Sequence, residues 1–161
     1  MAKEVSEKIM KTVEEYLKEE EWYYDVIKDG LIRTNSAIKC KLKKVDIFIR
    51  IGDDSFTIDT IVPVGADDNS MASVAEFVTR ANYGLRFGCF NLDHGDGEVS
   101  YHVAVYCGKE TPTNDQIEHG IIMGPLMADR YGDALTKVIY GFATPKDAVE
   151  EVENDSADSD S

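Results

Sequence analysis

Apolar and polar positions recur along the chain with two different periods, and the changes of period divide it into helices and strands. A period near 3.6 residues is typical of an amphipathic helix, whereas strict alternation is typical of a strand with one buried face. The helical period occupies residues 3–20, 71–83 and 113–142. Alternation, or enrichment in aromatic and β-branched residues, occupies residues 22–28, 31–38, 45–51, 56–62, 87–93 and 99–105. The pattern therefore predicts three helices and six strands.

Turn residues indicate how the predicted strands are connected. Asp29-Gly30 is a two-residue hairpin signal, and residues 52–54 and 94–97 are glycine-containing turns between alternating segments. Hairpins connect antiparallel strands, whereas parallel strands need long crossovers. The sequence therefore predicts an α+β fold in the order α-β-β-β-β-α-β-β-α, in which the helices pack on one face of an antiparallel sheet.

The last predicted helix has the most regular apolar pattern in the chain. It begins at a capping box, in which Thr113 and Gln116 have the required spacing. Pro125 should kink or split this helix, because proline lacks an N–H group and clashes with the preceding turn. Gly120 and Gly124 place two small residues one turn apart. They suit close packing either on the domain's own sheet, which we favour, or across a dimer interface.

The net charge excludes some classes of partner. The chain of 161 residues has 31 acidic and 17 basic residues, a formal net charge of −14. Nucleic acids and anionic membranes both attract clustered lysine and arginine, so we expect neither as a partner. The start of the chain lacks the apolar stretch of a signal peptide. No run of the sequence approaches the length of a membrane span.

The cysteines indicate a reducing environment. Cys40, Cys89 and Cys107 are odd in number, and no two of them form a CxxC pair. This pattern disfavours both a disulfide framework and a structural zinc site. Reduced thiols and the lack of targeting signals together predict a cytoplasmic location.

Composition divides the chain once, near its end. Residues 145–161 contain seven acidic residues against one lysine. A segment so poor in apolar residues cannot bury enough surface to offset the entropy of ordering. We therefore predict a single α+β domain over residues 1–144 and a disordered acidic tail over residues 145–161.

The tightest cluster of polar side chains runs from Asp93 to Glu98. Asp93, His94 and Asp96 have the side chains to bind a metal ion and so to support an enzyme. Their spacing does not match a calcium loop, and the glycines between them suit a hairpin turn, which is the interpretation we favour. The histidines and cysteines fall in no recognisable catalytic motif, and no phosphate-binding loop is present. The sequence predicts no catalytic residue, no cofactor and no metal.

Several aromatic side chains fall on strand positions opposite the apolar core sets. Phe48, Phe87 and Tyr106 do so, and Tyr23 or its neighbour Tyr24 must also point that way. Single exposed aromatics are ordinary, but several on one sheet face indicate a binding or self-association surface. Our candidates for a partner-binding or dimer surface are Tyr23, Phe48, Phe87, Tyr106, Gly120 and Gly124.

Two stretches of the chain resemble the YbjN family. They consist of Asn82, Gly88-Cys89-Phe90-Asn91-Leu92-Asp93 and Glu98-Val99-Ser100-Tyr101, and then, in the final helix, Ala128-Asp129-Arg130-Tyr131, Ala134-Leu135, Val138 and Gly141. The family is described as bacterial sensory transduction regulators. The resemblance spans roughly residues 5–142 in outline. It implies a fold like that of type III secretion chaperones, which are small acidic homodimers that bind protein partners without catalysis, and it supplies no catalytic residues.

Three functional hypotheses from different classes follow. The first, which we favour, is a non-catalytic protein-binding module, chaperone-like or regulatory, that forms a homodimer and is not an enzyme. The second is a small-ligand sensor with a pocket between the helices and the sheet. The third is a metal-dependent enzyme that uses Asp93, His94 and Asp96.

Overall fold

The computed structural model describes residues 1–159, with the side chains of residues 1–155. The helices are α1 (Ala2–Glu19), α2 (Met71–Asn82), α3 (Asn114–Ile139) and α4 (Pro145–Ser159). The strands are β1 (Tyr24–Lys28), β2 (Leu31–Ala37), β3 (Lys44–Ile51), β4 (Ser55–Ile61), β5 (Cys89–Leu92) and β6 (Val99–Tyr106). The predicted order of elements is confirmed, and α4 follows it. None of the helices in this part of the chain is long and apolar enough to cross a membrane.

The six strands form one antiparallel sheet in the order β1-β2-β3-β4-β6-β5. The first four strands follow one another as hairpins. The chain then passes through α2 to the far edge of the sheet, and β5 and β6 return as a last hairpin. The predicted turn at Asp29-Gly30 is confirmed, with Gly30 at φ +76°, a conformation that glycine adopts without a steric penalty.

One face of the sheet, here the covered face, is packed by helices and carries the core. Helices α1 and α3 lie on the central strands, and α2 lies on β5. The largest fully buried strand residues are Ile32, Ile47, Ile49, Phe56, Ile58 and Tyr101. They occupy alternate positions, so the strict alternation in the sequence correctly identified the strand face that is buried.

Helix α3 approaches β4 closely at two glycines. A Cβ atom on Gly120 would lie 2.7 Å from Ile58 Cδ1, and a Cβ atom on Gly124 would overlap the Thr60 side chain. Neither position has room for a side chain unless the helix moves. The two small residues therefore serve close helix–sheet packing within the chain.

Helix α3 is uninterrupted despite Pro125. The predicted capping box is confirmed, since the Gln116 N–H donates to Thr113 Oγ1 at 3.2 Å and the Thr113 N–H donates to Gln116 Oε1 at 2.9 Å. The alternative that Pro125 splits the helix is wrong. Proline removes one backbone hydrogen bond, and the packing of the buried residues Gly124 and Ala128 on either side outweighs that loss.

The prediction that residues 145–161 form a disordered tail is wrong for the described part of that segment. Pro145–Ser159 is a helix, which packs on α2 and α3. Ala148 and Val149 are buried, and Lys137 Nζ of α3 lies 3.6 Å from Glu151 Oε1. Residues 160 and 161 lie outside the described residues. The apolar stripe of α4 is narrow, so the acidic composition of the segment concealed its amphipathic pattern.

The start of α4 follows a capping pattern that composition does not reveal. The Asp147 N–H donates to Thr144 Oγ1 at 3.2 Å, and the Ala148 N–H donates to the Thr144 carbonyl at 3.0 Å. Pro145 occupies the first helical position, where a missing N–H has no cost. The four residues from Thr144 to Asp147 are thus a helix start within an acidic segment.

The two edges of the sheet differ: a side chain covers the backbone at the β5 edge, whereas the β1 edge exposes aliphatic side chains. At β5, Asn82 Nδ2 donates to the Phe90 carbonyl at 2.8 Å and Asn82 Oδ1 accepts from the Phe90 N–H at 2.7 Å. The amide thereby takes the place of a neighbouring strand. At β1, Val26 and Ile27 are 47% and 53% exposed.

Candidate functional site

The sheet face opposite the helices, here the open face, carries the candidate site. It is formed by alternate strand positions: Asp25, Arg33, Asn35, Asp46, Phe48, Arg50, Thr57, Asp59, Ile61, Cys89, Asn91, Ser100, His102, Ala104 and Tyr106. These side chains are exposed or half-buried, whereas Leu31, which lies opposite Arg50 on the same face, is buried. Charged and polar groups predominate, in contrast to the covered face.

A central row of side chains crosses the open face. The register places one residue of each strand in this row, directly opposite its neighbours. From β1 to β5 the row consists of Asp25, Arg33, Phe48, Asp59, His102 and Cys89. Directly opposite residues of antiparallel strands have Cβ atoms about 5 Å apart and interact. The aspartates in the row each have a basic neighbour, and Phe48 separates the two halves.

Asp59 and His102 form a close pair in this row. His102 Nδ1 lies 2.7 Å from Asp59 Oδ1, and the side chains are 34% and 24% exposed, His102 first. A proton on Nδ1 donates to the carboxylate, and the contact becomes an ion pair when the imidazole takes a second proton. The two residues are 43 positions apart in the sequence. Only the pairing of β4 with β6 brings them together.

Phe48 is half-buried although no helix covers it. The Arg33 guanidinium carbon lies 5.9 Å from the centre of the Phe48 ring, and Arg33 Nη2 lies 3.3 Å from Asp46 Oδ2. A cation–π contact at an exposed site contributes about 0.5–1 kcal/mol. Asp46 thus holds Arg33 over the ring, and Phe48 also lines an open groove.

This groove has a volume of about 470 Å³. It is lined by the apolar side chains of Phe48, Ile61 and Leu92 and by the polar or charged side chains of Arg50, Asp59, Asn91, Asp93, Glu98 and Ser100. Partial burial, together with the nearby carboxylates of Asp96, Asp93 and Asp59, raises the pKa of the Glu98 carboxyl. Negative charge is therefore concentrated at this end of the open face, next to apolar surface.

Two predicted aromatics lie on the open face and one lies beside it. Phe48 is in the central row, and Tyr106, which is 75% exposed, is at the end of β6 opposite Ser55. Tyr23 directly precedes β1 and is 92% exposed. At least one other strand separates each of these positions from the next. They are separate points rather than one continuous aromatic patch.

Three other predicted surface residues lie elsewhere. Phe87 precedes β5, and its ring packs edge-on against His119 of α3 with the ring centres 4.7 Å apart. Its assignment to the open face is wrong, because β5 starts two residues later than the predicted strand. Gly120 and Gly124 are buried against β4 of their own chain. Their assignment to a dimer surface is therefore wrong, and the favoured interpretation as packing on the chain's own sheet is correct.

The segment from Asp93 to Glu98 is a tight turn, as predicted. Asp93 Oδ1 accepts from the Gly95 N–H at 2.7 Å, and Asp96 Oδ1 accepts from the Glu98 N–H at 2.9 Å. Gly97 has φ +80°, and a Cβ atom there would overlap the backbone of Ala66. Among the described side chains, no three of His, Cys, Asp and Glu are grouped as a metal site would require. Both aspartates instead bind the backbone of the turn.

Two of the three thiols, those of Cys40 and Cys107, do not have the environment of an activated nucleophile. Burial raises the pKa of the Cys40 thiol and of the Cys107 thiol. This direction suppresses the thiolate that attacks substrates or binds metals. Cys89 ends the central row, with Sγ 3.6 Å from Asn91 Oδ1.

Sequence reasoning missed the residues that hold the loop between β2 and β3. Asp129 Oδ1 accepts from the N–H groups of Lys39 and Cys40 at 2.8 and 2.7 Å, and Asp133 Oδ1 accepts from the Lys41 N–H at 3.1 Å. The two aspartates are four apart on α3 and so share a helix face. That spacing, opposite a lysine-rich loop, is the signal in the sequence.

The residues that carry the family resemblance have structural roles in this fold. Asn82 closes the edge of β5, and Asp129 fixes the loop between β2 and β3. Tyr131 packs edge-on against Phe77 of α2 and Phe90 of β5, with ring centres 6.2 and 5.5 Å apart. These residues join α2, α3 and the sheet.

Comparisons with known proteins identify the fold and the family of this chain. The crystal structure of YbjN from E. coli, described as "a putative transcription regulator", superimposes with a TM-score of 0.54 over 76% of this chain and 93% of that chain, at 13% identity. At this identity the likeness concerns the fold. No curated protein matches. A sequence model of a family described as "Putative bacterial sensory transduction regulator" matches residues 10–137. Because this match covers most of the chain, and the fold agrees, the chain belongs to the YbjN family.

Proposed function

We propose that this chain is a non-catalytic regulatory module that binds a segment of a protein partner on its open face. The observation that carries the proposal is the groove beside Phe48, where apolar side chains lie next to a concentration of carboxylates. The description of the family as regulators supports a regulatory role.

The groove has the composition of a protein-binding site. Stable interfaces have an apolar centre and a polar rim, and aromatic residues are enriched at the centre. Phe48 and Ile61 supply apolar surface that is half-buried in the free chain, and charged side chains surround them. Asp59 is already paired with His102, whereas the carboxylates of Asp93 and Glu98 form no ion pair among the described residues and are available to a cation of a bound segment.

The charges of the groove select the chemistry of the partner. Asp59, Asp93 and Glu98 line it against one cation, Arg50. We therefore expect a segment that inserts an apolar side chain next to Phe48 and carries lysine or arginine beside it. Burial and, to a smaller extent, neighbouring carboxylates raise the pKa of Glu98, and a cation there relieves the part that is due to the carboxylates.

Site-specific crosslinking tests this location. A photoreactive phenylalanine analogue at Phe48 should crosslink a partner in cells, whereas the same analogue at Tyr83, which is 97% exposed on α2's C-terminal end, should not. Binding of the purified partner is then measured by calorimetry. We expect Phe48→Ala and Glu98→Lys each to weaken it at least about tenfold.

The exposed residue Asp68 supplies the matched control, since Asp68→Lys changes the net charge by as much as Glu98→Lys on a loop outside the open face. This variant should bind normally. A partner that crosslinks at Tyr83, or that binds Phe48→Ala and Glu98→Lys as tightly as the natural chain, would contradict the proposal.

The chaperone-like, dimeric and cytoplasmic parts of the sequence prediction are also proposals. A cytoplasmic setting is supported by three free thiols, which reducing compartments maintain. A chaperone-like role would make the partner's stability depend on this chain. Co-expression with the crosslinked partner, followed by measurement of the partner's solubility with and without Phe48→Ala, tests that role.

A small-ligand sensor is the second candidate, and one apolar pocket favours it. The pocket, of about 280 Å³, lies between α3, the end of β2 and Trp22, and it is lined mainly by apolar side chains such as Ile38, Ile122 and Leu126. Trp22, the single tryptophan, lines this pocket, and a variant that fills the pocket distinguishes a dye bound there from a dye bound elsewhere. The apolar dye anilinonaphthalene sulfonate should quench Trp22 by energy transfer if the pocket binds ligands, and Leu126→Arg should abolish the quenching.

A further inference from the structure

Strand β1 exposes apolar surface at the edge of the sheet. Four successive residues, from Asp25 to Lys28, are exposed, and two of them are the aliphatic residues Val26 and Ile27. In the described part of the chain, β2 is the only strand that pairs with β1. An exposed edge strand with large aliphatic side chains is a template for pairing with another strand.

The register of β1 against β2 shifts between Val26 and Lys28, as it does at a β-bulge, and this shift decides which residues of β1 share a face. Asp25 pairs with Arg33 and Lys28 pairs with Leu31, so three steps along β1 match two steps along β2. Arg33 and Leu31 share a face of β2, because alternate residues of a strand do so. Asp25 and Lys28 therefore both point to the open face, which regular alternation does not allow for residues three apart.

The charged residues of β1 are complementary to those of a second, antiparallel copy of the same strand. We propose that β1 pairs antiparallel with β1 of a second copy of the chain, around a two-fold axis between Val26 and Ile27. Asp25 then lies opposite Lys28 of the second copy, and Lys28 lies opposite the second copy's Asp25. Val26 lies opposite Ile27 in both directions. Directly opposite residues must share a face, and the bulge meets this requirement for each aspartate and lysine.

The neighbouring two-fold registers lack this match. An axis through Val26 places Asp25 opposite Ile27 and leaves both charges without an opposite partner. An axis through Ile27 places Asp25 opposite Asp29, and like charges directly opposite each other are destabilising. The run Asp-Val-Ile-Lys therefore selects one register.

Both charges are available to a second copy. Within the described residues, neither Asp25 nor Lys28 takes part in a salt bridge. Pairing through β1 joins two six-stranded sheets into one sheet of twelve strands. The two-fold axis is perpendicular to the sheet, so the helices of both copies lie on one side and the two open faces form one surface. This inference is independent of the partner proposed above.

Sedimentation equilibrium over a wide range of concentration tests the pairing. The weight-average mass should rise from 17.9 kDa towards twice that value. Asp25→Lys and Lys28→Asp should each weaken self-association at least about tenfold, because each reversal places like charges opposite one another at two symmetric contacts. The double variant Asp25→Lys/Lys28→Asp restores opposite charges at both contacts, and it should associate about as tightly as the natural chain.

Two loop variants control for net charge. Asp68→Lys and Lys109→Asp make the same charge changes at exposed positions outside β1, and they should associate normally. Thermal melting of each variant checks that it is folded. A natural chain that stays at 17.9 kDa at every concentration overturns the proposal. So does a double variant that fails to recover, or a loop variant that weakens association as much as the β1 variants.

Discussion

The two faces of the sheet differ in how well they tolerate amino-acid substitutions. On the covered face, α3 lies so close to β4 that Gly124 has no room for a methyl group, and Thr60 beneath it is fully buried. On the open face, Asp59 and His102 stay partly exposed and hold each other through one contact. A side chain added at Gly124 must move α3, whereas a substitution on the partly exposed open face can be accommodated by water. The covered face therefore constrains the fold more tightly than the open face does.

The largest expected effect tests the close approach on the covered face. Gly124→Val adds a branched side chain that overlaps Thr60, so α3 must move away from β4. We expect the free energy of unfolding to fall by about 3 kcal/mol in urea denaturation. Gly84→Ala is the matched control, because a Cβ atom there has no neighbour within 4 Å. A Gly124→Val protein as stable as the natural chain would mean that the covered face is not tightly constrained.

The next effect concerns the edge of the covered core at β5. Asn82→Ala removes two hydrogen bonds to the Phe90 backbone and leaves its N–H and C=O unsatisfied. We expect the free energy of unfolding to fall by about 2 kcal/mol. Hydrogen exchange at the Phe90 amide should become faster. Asn82→Asp keeps the acceptor but loses the donor, so its effect should be intermediate. Equal stability of all three proteins would show that the amide does not support β5.

A smaller effect tests whether α4 is part of the covered side. Ala148→Asp places a carboxylate at a position that is 0% exposed, so α4 should detach from α2 and α3. The free energy of unfolding should fall by about 1–2 kcal/mol, because only the packing of α4 on the rest of the chain is lost. Hydrogen exchange should become faster in α4 and stay slow in the sheet. Glu150→Asp, on the exposed side of α4, should change neither quantity.

The smallest expected effect is a pH dependence of stability that arises from Glu98, beside the open face. Burial and neighbouring carboxylates raise the pKa of Glu98 above its unfolded value of about 4.3. A raised pKa of an acid means that the folded state binds more protons, so this group stabilises the protein fully below its unfolded pKa and loses that effect as pH rises through its folded pKa. Glu98→Gln should therefore be more stable than the natural chain at neutral pH, by less than about 0.5 kcal/mol.

The measurement is the difference in melting temperature between the two proteins from pH 3 to pH 7. The difference should vanish at the acidic end of the range. A Glu98→Gln protein that is less stable at neutral pH would show that the carboxylate of Glu98 is favoured in the fold.

Local signals in the sequence were sufficient for most of the fold. The capping box at Thr113, the hairpin at Asp29-Gly30 and the alternation in β3 each depend on residues close together in the chain. Backbone sterics and side-chain period determine such features with little help from tertiary contacts. The covered face, which follows from that period, was therefore predictable.

Features that depend on long-range packing were not predictable in the same way. Helix α4 has an acidic composition that indicates disorder, and only its contacts with α2 and α3 bury Ala148 and Val149. The pair of Asp59 and His102 can be predicted only if β6 is known to lie between β4 and β5, and the hairpin signal in the sequence indicates only the pairing of β6 with β5. Phe87 was placed on the wrong face because a shift of the start of β5 removed it from the alternation. In each case a contact between distant segments decided the outcome.

Asn82 bears on how the pair proposed through β1 would end. A pair joined through β1 leaves a β5 strand at each end, and there the Asn82 amide already occupies the N–H and C=O of Phe90. Two-fold pairing uses one surface twice and then stops, whereas a chain with two usable surfaces adds further copies without limit and grows into a fibre. In the proposed pair, the Asn82 amide therefore opposes the addition of a further copy at the Phe90 position of β5.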